Sequence, residues 1–130
     1  MAKKSASPIE RPLTEVELEI MNAVWELGAC TVKDVLTAVS QRRELAYTSV
    51  ATMMKILEEK GALTSDKNER VIVYRPRLTR ERYGDASLKH LASHVFQGNP
   101  TSMVMRLLDD SQLSPDDLAA IRKLLDERLK

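Results

Sequence analysis

Thr48, Ala51, Thr52 and Lys55 recur at intervals of three and four, so a helix through them sets all four on one face, while Val50, Met53, Met54 and Leu57 fall on the other. The first set is short, partly hydroxyl-bearing and ends in a flexible cation. Such side chains suit a DNA major groove about 12 Å wide: small residues allow close approach, Thr methyls touch thymine methyls, hydroxyls serve several bases, and lysine reaches phosphate or guanine. Taken alone, the four residues describe an ordinary solvated helix face equally well. Their surroundings weigh against that plain reading. Lys33, Arg42, Arg43, Lys67 and Arg70 lie on the segments that flank the helix. Cations so placed hold phosphates and set register while the helix reads base edges. The Tyr47 hydroxyl also suits a phosphate, although ring packing with a polar tip is the expected role of both Tyr47 and Tyr74. Glu44, Glu58, Glu59, Asp66 and Glu69 dilute the positive charge.

Other candidate residues carry less chemistry. His90 and His94 are four apart, a spacing that can hold a metal ion, but no neighbouring Glu or Cys completes a set and the HExxH pattern is absent. They read as a surface pair. Cys30 is the single cysteine, which excludes an intrachain disulfide and a multi-cysteine metal cage; it reads as a small apolar packing residue. Trp25 reads as core or core edge. No glycine-rich phosphate loop and no nucleophile elbow occurs, so neither an enzyme nor a cofactor is expected.

The elements that must position these residues are legible in turn. Thr14 and Glu17 have the spacing of a capping box, after which Val16, Ile20, Ala23, Val24 and Leu27 recur at helical intervals until Gly28. Thr31 and Asp34 repeat the cap, and Val32, Val35, Leu36 and Val39 mark a second helix ending near Ser40. A polar connection over residues 41–44 leads to the third helix, expected over about 47–60 and stopped by Gly61. Residues 62–65 and 70–74 read as strands around a four-residue turn, Asp66-Lys67-Asn68-Glu69; Arg70, Ile72 and Tyr74 alternate with Val71 and Val73, giving one wet and one dry face.

Pro76 ends that strand, and from Thr79 the composition changes to helix formers. Leu88, Leu91, Val95 and Phe96 form one apolar stripe, and Gly98-Asn99-Pro100 interrupts it. Met103, Val104, Leu107 and Leu108 form a second stripe. Ser114-Pro115-Asp116-Asp117 then supplies an N-cap, a proline at the first helical position and first-turn acids, ahead of Leu118, Ile121, Leu124 and Leu125. Three short helices alone bury little surface, so a second copy of the chain is expected to cover these stripes as a homodimer. The expected architecture is mainly α with a small β-hairpin. It comprises a disordered tip over residues 1–12, a winged helix-turn-helix DNA-binding domain over 13–78 and a three-helix dimerisation domain over 79–130.

Composition agrees. The 130 residues are 43% hydrophobic, enough for a core, and the net charge of +1 excludes a polycationic nucleic-acid coat, so any DNA footprint is local. Two lysines near the start precede no apolar run, and no stretch approaches the roughly 20 apolar residues that span a bilayer. A cytoplasmic protein without membrane insertion is expected.

With these residues in place, the chain resembles the BlaI/MecI/CopY group of bacterial winged-helix repressors over roughly residues 13–130. The resemblance is carried by Leu13-Thr14-Glu15-Val16-Glu17-Leu18-Glu19-Ile20-Met21 with Val24-Trp25, by Ala46-Tyr47-Thr48-Ser49-Val50-Ala51-Thr52-Met53, by Glu59-Lys60-Gly61 and by Arg70-Val71-Ile72-Val73-Tyr74. It implies a homodimeric repressor with interlocking C-terminal helices and recognition helices in successive major grooves of a pseudo-palindromic operator. The family's base-reading positions fall on Thr48, Ser49 and Thr52, with Lys55 alongside. The resemblance also implies partnership with a membrane-bound sensor metalloprotease system and release by cleavage in the dimerisation region. Three departures stand out. Ile56 occupies a position that is commonly basic, Arg106-Leu107 aligns with the Asn-Phe cleavage pair of the best-known members, and the cysteine-rich copper hook is missing, which excludes copper sensing through it. A protein-binding winged helix without specific DNA binding is the competing reading; replacing Thr48 and Thr52 by Ala separates the two, because only DNA reading depends on them.

Overall fold

The computed structural model describes residues 12–110 and 112–130; the expected disordered tip lies outside them apart from Pro12. The elements run α1 (Glu15–Leu27), α2 (Val32–Val39), α3 (Tyr47–Glu59), β1 (Leu63–Asn68), β2 (Val71–Pro76), α4 (Arg80–His94), α5 (Pro100–Asp109) and α6 (Pro115–Arg128). They form two compact units that divide between Ser87 and Leu88, inside α4.

Local chemistry starts α1 and α2. Thr14 and Glu17 close a reciprocal capping box on α1, and Thr31 with Asp34 does the same for α2. Each cap contributes about 1 kcal/mol by satisfying amides that have no intrahelical partner. At the end of α3, Gly61 takes φ 89, its N–H donates to the Glu58 carbonyl and the Ala62 N–H donates to the Leu57 carbonyl. That paired closure is the Schellman motif, and it needs a residue free to adopt the left-handed conformation. Ile20, Met21 and Val24 from α1, Val35 from α2, and Val50, Met54 and Leu57 from α3 are fully enclosed. Met21 thus joins the core, whereas Leu27, expected on the buried stripe, is 47% exposed one residue before the Gly28 cap.

The hairpin differs from the expected one. Strands β1 and β2 pair antiparallel from Leu63↔Pro76 to Asn68↔Val71, leaving a two-residue turn, Glu69-Arg70, in place of four. Glu69 carries φ 59 in that turn, a strained value for a residue with a Cβ. Burial grades along β2 instead of alternating: Val71 and Ile72 are exposed, Val73 is intermediate and Tyr74 is buried. Near its root the hairpin gains a further partner, because Cys30 and Tyr74 exchange backbone hydrogen bonds of 2.9 and 2.7 Å. The buried Cys30 is therefore a packing residue and a third, one-residue strand; burial pushes its thiol pKa up.

Three polar tethers complete the first unit. Trp25 Nε1 donates to the Leu78 carbonyl at 2.8 Å, with Tyr83 tilted against the ring and the Arg80 guanidinium over it, which makes Trp25 a core-edge residue. The Leu13 amide donates to the Tyr83 hydroxyl at 3.0 Å, so the first turns of α4 belong to this unit. Buried Glu17 accepts from Lys60 Nζ at 2.8 Å and from the Thr14 amide at 2.9 Å, joining the start of α1 to the end of α3. Burial opposes ionisation of this carboxyl, but the Lys60 and Thr14 donors outweigh it and hold the pKa below the ordinary 4.5. The sign follows: the stabilisation is present above the ordinary carboxylate range and is lost as pH falls through the lowered value. Glu17→Gln is expected to lower the melting temperature at neutral pH, with the gap to wild type closing only as pH falls below the ordinary carboxylate value of 4.5 and through the lowered one. A gap independent of pH in thermal melts would refute this.

In the second unit, α5 and α6 begin at Asn99 and Ser114, whose side chains accept first-turn amides; Ser114-Pro115 does so as expected, and Asn99-Pro100, expected as a break, also serves as a cap and first helical position. Only Met103 is buried among its described residues.

Candidate nucleic-acid interface

Helix α3 is divided as its spacing demands: Val50, Met54 and Leu57 are buried, Met53 is half-buried, and Thr48, Ser49, Thr52 and Lys55 are exposed on the other side. Its N-terminus is unlike those of α1 and α2, since Ala46 offers no side-chain cap and the first turn holds no acid. The first-turn amides of α3 therefore lack a side-chain acceptor and face the surface with the positive end of the helix dipole.

An open groove of about 700 Å³ runs along this face. Thr31, Val32 and Lys33 from the start of α2 form one wall, Tyr47, Thr48, Ala51, Thr52 and Lys55 form the floor, and Arg70, Val71, Ile72 and Tyr74 form the wing side. The structure thus brings together three of the four expected base-reading residues and, of the expected backbone residues, Lys33, Tyr47 and Arg70. Among the described residues, Lys33, Lys55 and Arg70 form no ion pair, so their charge is available to an anion. Tyr47 is 53% exposed, contrary to the expected packing, while Tyr74 does pack. Burial first, then Glu58 and Tyr47, pushes the Tyr74 phenol pKa up.

Other expected residues lie elsewhere. Ser49 is exposed but does not line the groove, and Lys67 is exposed on β1, opposite Ile72. Arg42 borders a separate recess with Glu19, Glu26 and Arg80. Arg43 departs furthest from its expected phosphate role. Its Nε and one Nη each donate to Glu19 at 2.9 Å, with Glu15 at 3.6 Å, and these carboxylates push its pKa up. Arg43 ties the loop before α3 to α1.

Residues that sequence reasoning passed over are Thr31, which lines the groove while capping α2, and the exposed pair Val71 and Ile72. Apolar residues at a hairpin tip signal exposure only once the pairing register is known. Outside the groove, His90 and His94 stack with ring centroids 4.0 Å apart, and His94 Nδ1 lies 2.9 Å from the His90 carbonyl. Among the described residues, no group of three or more His, Cys, Asp or Glu could hold a metal ion, and no helix is long and apolar enough to cross a membrane.

Of the expected dimerising side chains, Leu88, Leu91, Val95, Val104, Leu107, Leu118, Leu124 and Leu125 are exposed on the single chain, and Phe96, Leu108 and Ile121 are partly exposed. Met103 is the exception, turned into its own chain at 8% exposure.

Comparison with known proteins agrees with this geometry. A family model described as penicillinase repressor matches residues 13–127. The penicillinase repressor of Bacillus licheniformis is 27% identical over 115 residues, covering 88% of this chain and 90% of that protein. The methicillin resistance regulatory protein MecI of Mammaliicoccus sciuri is 19% identical over 116 residues, covering 89% and 94%. Among solved structures, the solution structure of the DNA-binding domain of the repressor BlaI is 29% identical with a TM-score of 0.52, covering 64% of this chain and 94% of that one.

Proposed function

The chain belongs to the penicillinase repressor family, and from that premise we propose that it is a sequence-specific DNA-binding repressor acting as a homodimer on a pseudo-palindromic operator. As a member of a family of repressors it is no enzyme. The observation that carries the proposal is the groove, in which short hydroxyl and methyl side chains of α3 lie between cations of α2 and the wing that form no ion pair among the described residues. Thr48 and Thr52 read base edges, with Lys55 and Ser49 beside them. Lys33, Arg70, Tyr47 and the uncapped start of α3 hold phosphates.

Dimerisation is supported by the second unit, where Met103 is the single buried side chain among the described residues and most of the leucines and valines lie in water. A second copy removes that surface from water and sets half-site spacing. Bound in the cytoplasm to its own promoter region, the dimer blocks polymerase. Release follows from weakening the dimer. Arg106 and Leu107, at the position where the family's cleavage pair aligns, are exposed on α5. A protease delivered by a membrane-bound sensor system reaches that bond once the helix unwinds locally.

Fluorescence anisotropy with the duplex upstream of the gene, compared with scrambled duplex over a salt series, tests the proposal. Specific and salt-sensitive binding is expected. Thr48→Ala and Thr52→Ala should each weaken it by about 1–3 kcal/mol without moving the melting temperature, since both side chains are exposed. Equal affinity for both duplexes would overturn it.

A further inference from the structure

Thr48, Thr52 and Ile56 follow one another at intervals of four and so form a single ridge along α3. Ile56 is 38% exposed. At about 1.5 Å per residue the ridge measures roughly 12 Å, the rise of three to four base pairs at about 3.4 Å each. Beyond Ile56 the helix offers no further reader, because Lys60 is engaged with Glu17 and exposed Glu59 repels phosphate. Ile56 lies just beyond the residues that line the groove, is the last candidate position on the ridge and is the only one of the three with no hydrogen-bonding atom. In the major groove the apolar group presented at a base edge is the thymine C5-methyl.

On the reading of the chain as a sequence-specific DNA binder, we propose that Ile56 is a specificity-determining residue: it selects an A·T pair by packing on the thymine methyl at the base step facing the C-terminal end of the ridge. Thr48 and Thr52 carry methyls and hydroxyls together and tolerate several bases. Ile56 favours the pair that presents a methyl: it returns no hydrogen bond to any base edge, and only thymine offsets that desolvation with an apolar contact.

The test uses the full chain. Binding-site selection from random duplex first defines the preferred motif, and each thymine in it is then replaced by uracil, which removes the methyl and nothing else. One thymine per half-site is expected at which uracil weakens wild-type binding about fourfold, the equivalent of about 0.8 kcal/mol for a methyl-sized group. In Ile56→Ala that sensitivity should vanish at this thymine and persist elsewhere; the side chain is exposed and alanine favours helix, so the variant keeps the fold. A defined motif without any thymine whose uracil sensitivity depends on Ile56 would overturn the inference and leave the repressor reading standing. Selection of no motif would overturn both.

Discussion

A chain ending at Ser87 is expected to bind a full operator on the order of 10²–10⁴-fold more weakly than the intact protein. The proposed dimer makes the second half-site encounter intramolecular. Once one winged unit is seated, its linked copy experiences an effective concentration far above that of free protein, and this gain requires no new contact with DNA. Removing residues 88–130 abolishes the linkage while sparing the reading surface. Ser87 is the right place to cut because the Leu13–Tyr83 hydrogen bond and the Trp25–Tyr83 contact keep the first turns of α4 in the winged unit; a cut at residue 78 would damage both. An isolated half-site supplies the control, since intact and shortened chains should bind it alike. Equal affinity of the two for the full operator in a titration would refute the dimer argument.

Leu57→Ala is expected to cost about 3 kcal/mol of stability, because a fully buried leucine leaves both lost transfer energy and a cavity behind. For a unit of this size that corresponds to a fall of roughly 12–24 °C in melting temperature. Leu57 belongs to the same buried cluster as Ile20 and Val24, and its carbonyl accepts the Ala62 amide in the closure of α3. The effect on DNA should be the reverse of that of Thr52→Ala. Below its melting transition, the folded Leu57→Ala protein retains the operator preference, whereas Thr52→Ala keeps the stability and loses affinity. A melting temperature within about 5 °C of wild type would show that Leu57 is not held as tightly as the packing indicates.

That contrast between two residues of one helix bears on how far the sequence could be read. The division of α3 into a buried and an exposed face follows from a 100° step per residue and needs no knowledge of the partners. The capping boxes at Thr14 and Thr31, the Gly61 stop and the Ser114-Pro115 start are likewise complete within a few residues, and each is present. The wing was legible as a hairpin but not in its register. Pairing of Asn68 with Val71 places Glu69 at φ 59, and nothing in a Glu-Arg dipeptide announces so tight a turn as Asn-Gly would. Among the cations, composition could count the charges but not their partners. Arg43 and Lys67 look equivalent on the chain, yet Arg43 meets Glu19 across a separation of 24 residues and is engaged, while Lys67 stays free of any ion pair among the described residues. Tyr47 and Tyr74 separate for the same reason: the Cys30 bridge draws Tyr74 inward, and nothing comparable covers Tyr47.

The order of elements, the winged class of the fold, the exposed face of α3 and the apolar stripes of the second unit were determined by sequence alone. All of them depend on interactions within one or two helical turns or on alternation along a strand. The tertiary structure decided which cations remain free, how tightly the wing turns, that Cys30 supplies a third strand, and that Val71 and Ile72 form the wing side of the groove. These rest on groups distant in sequence meeting at defined distances and angles. Such meetings are set by how the helices pack on their shared core, and no local spacing encodes them.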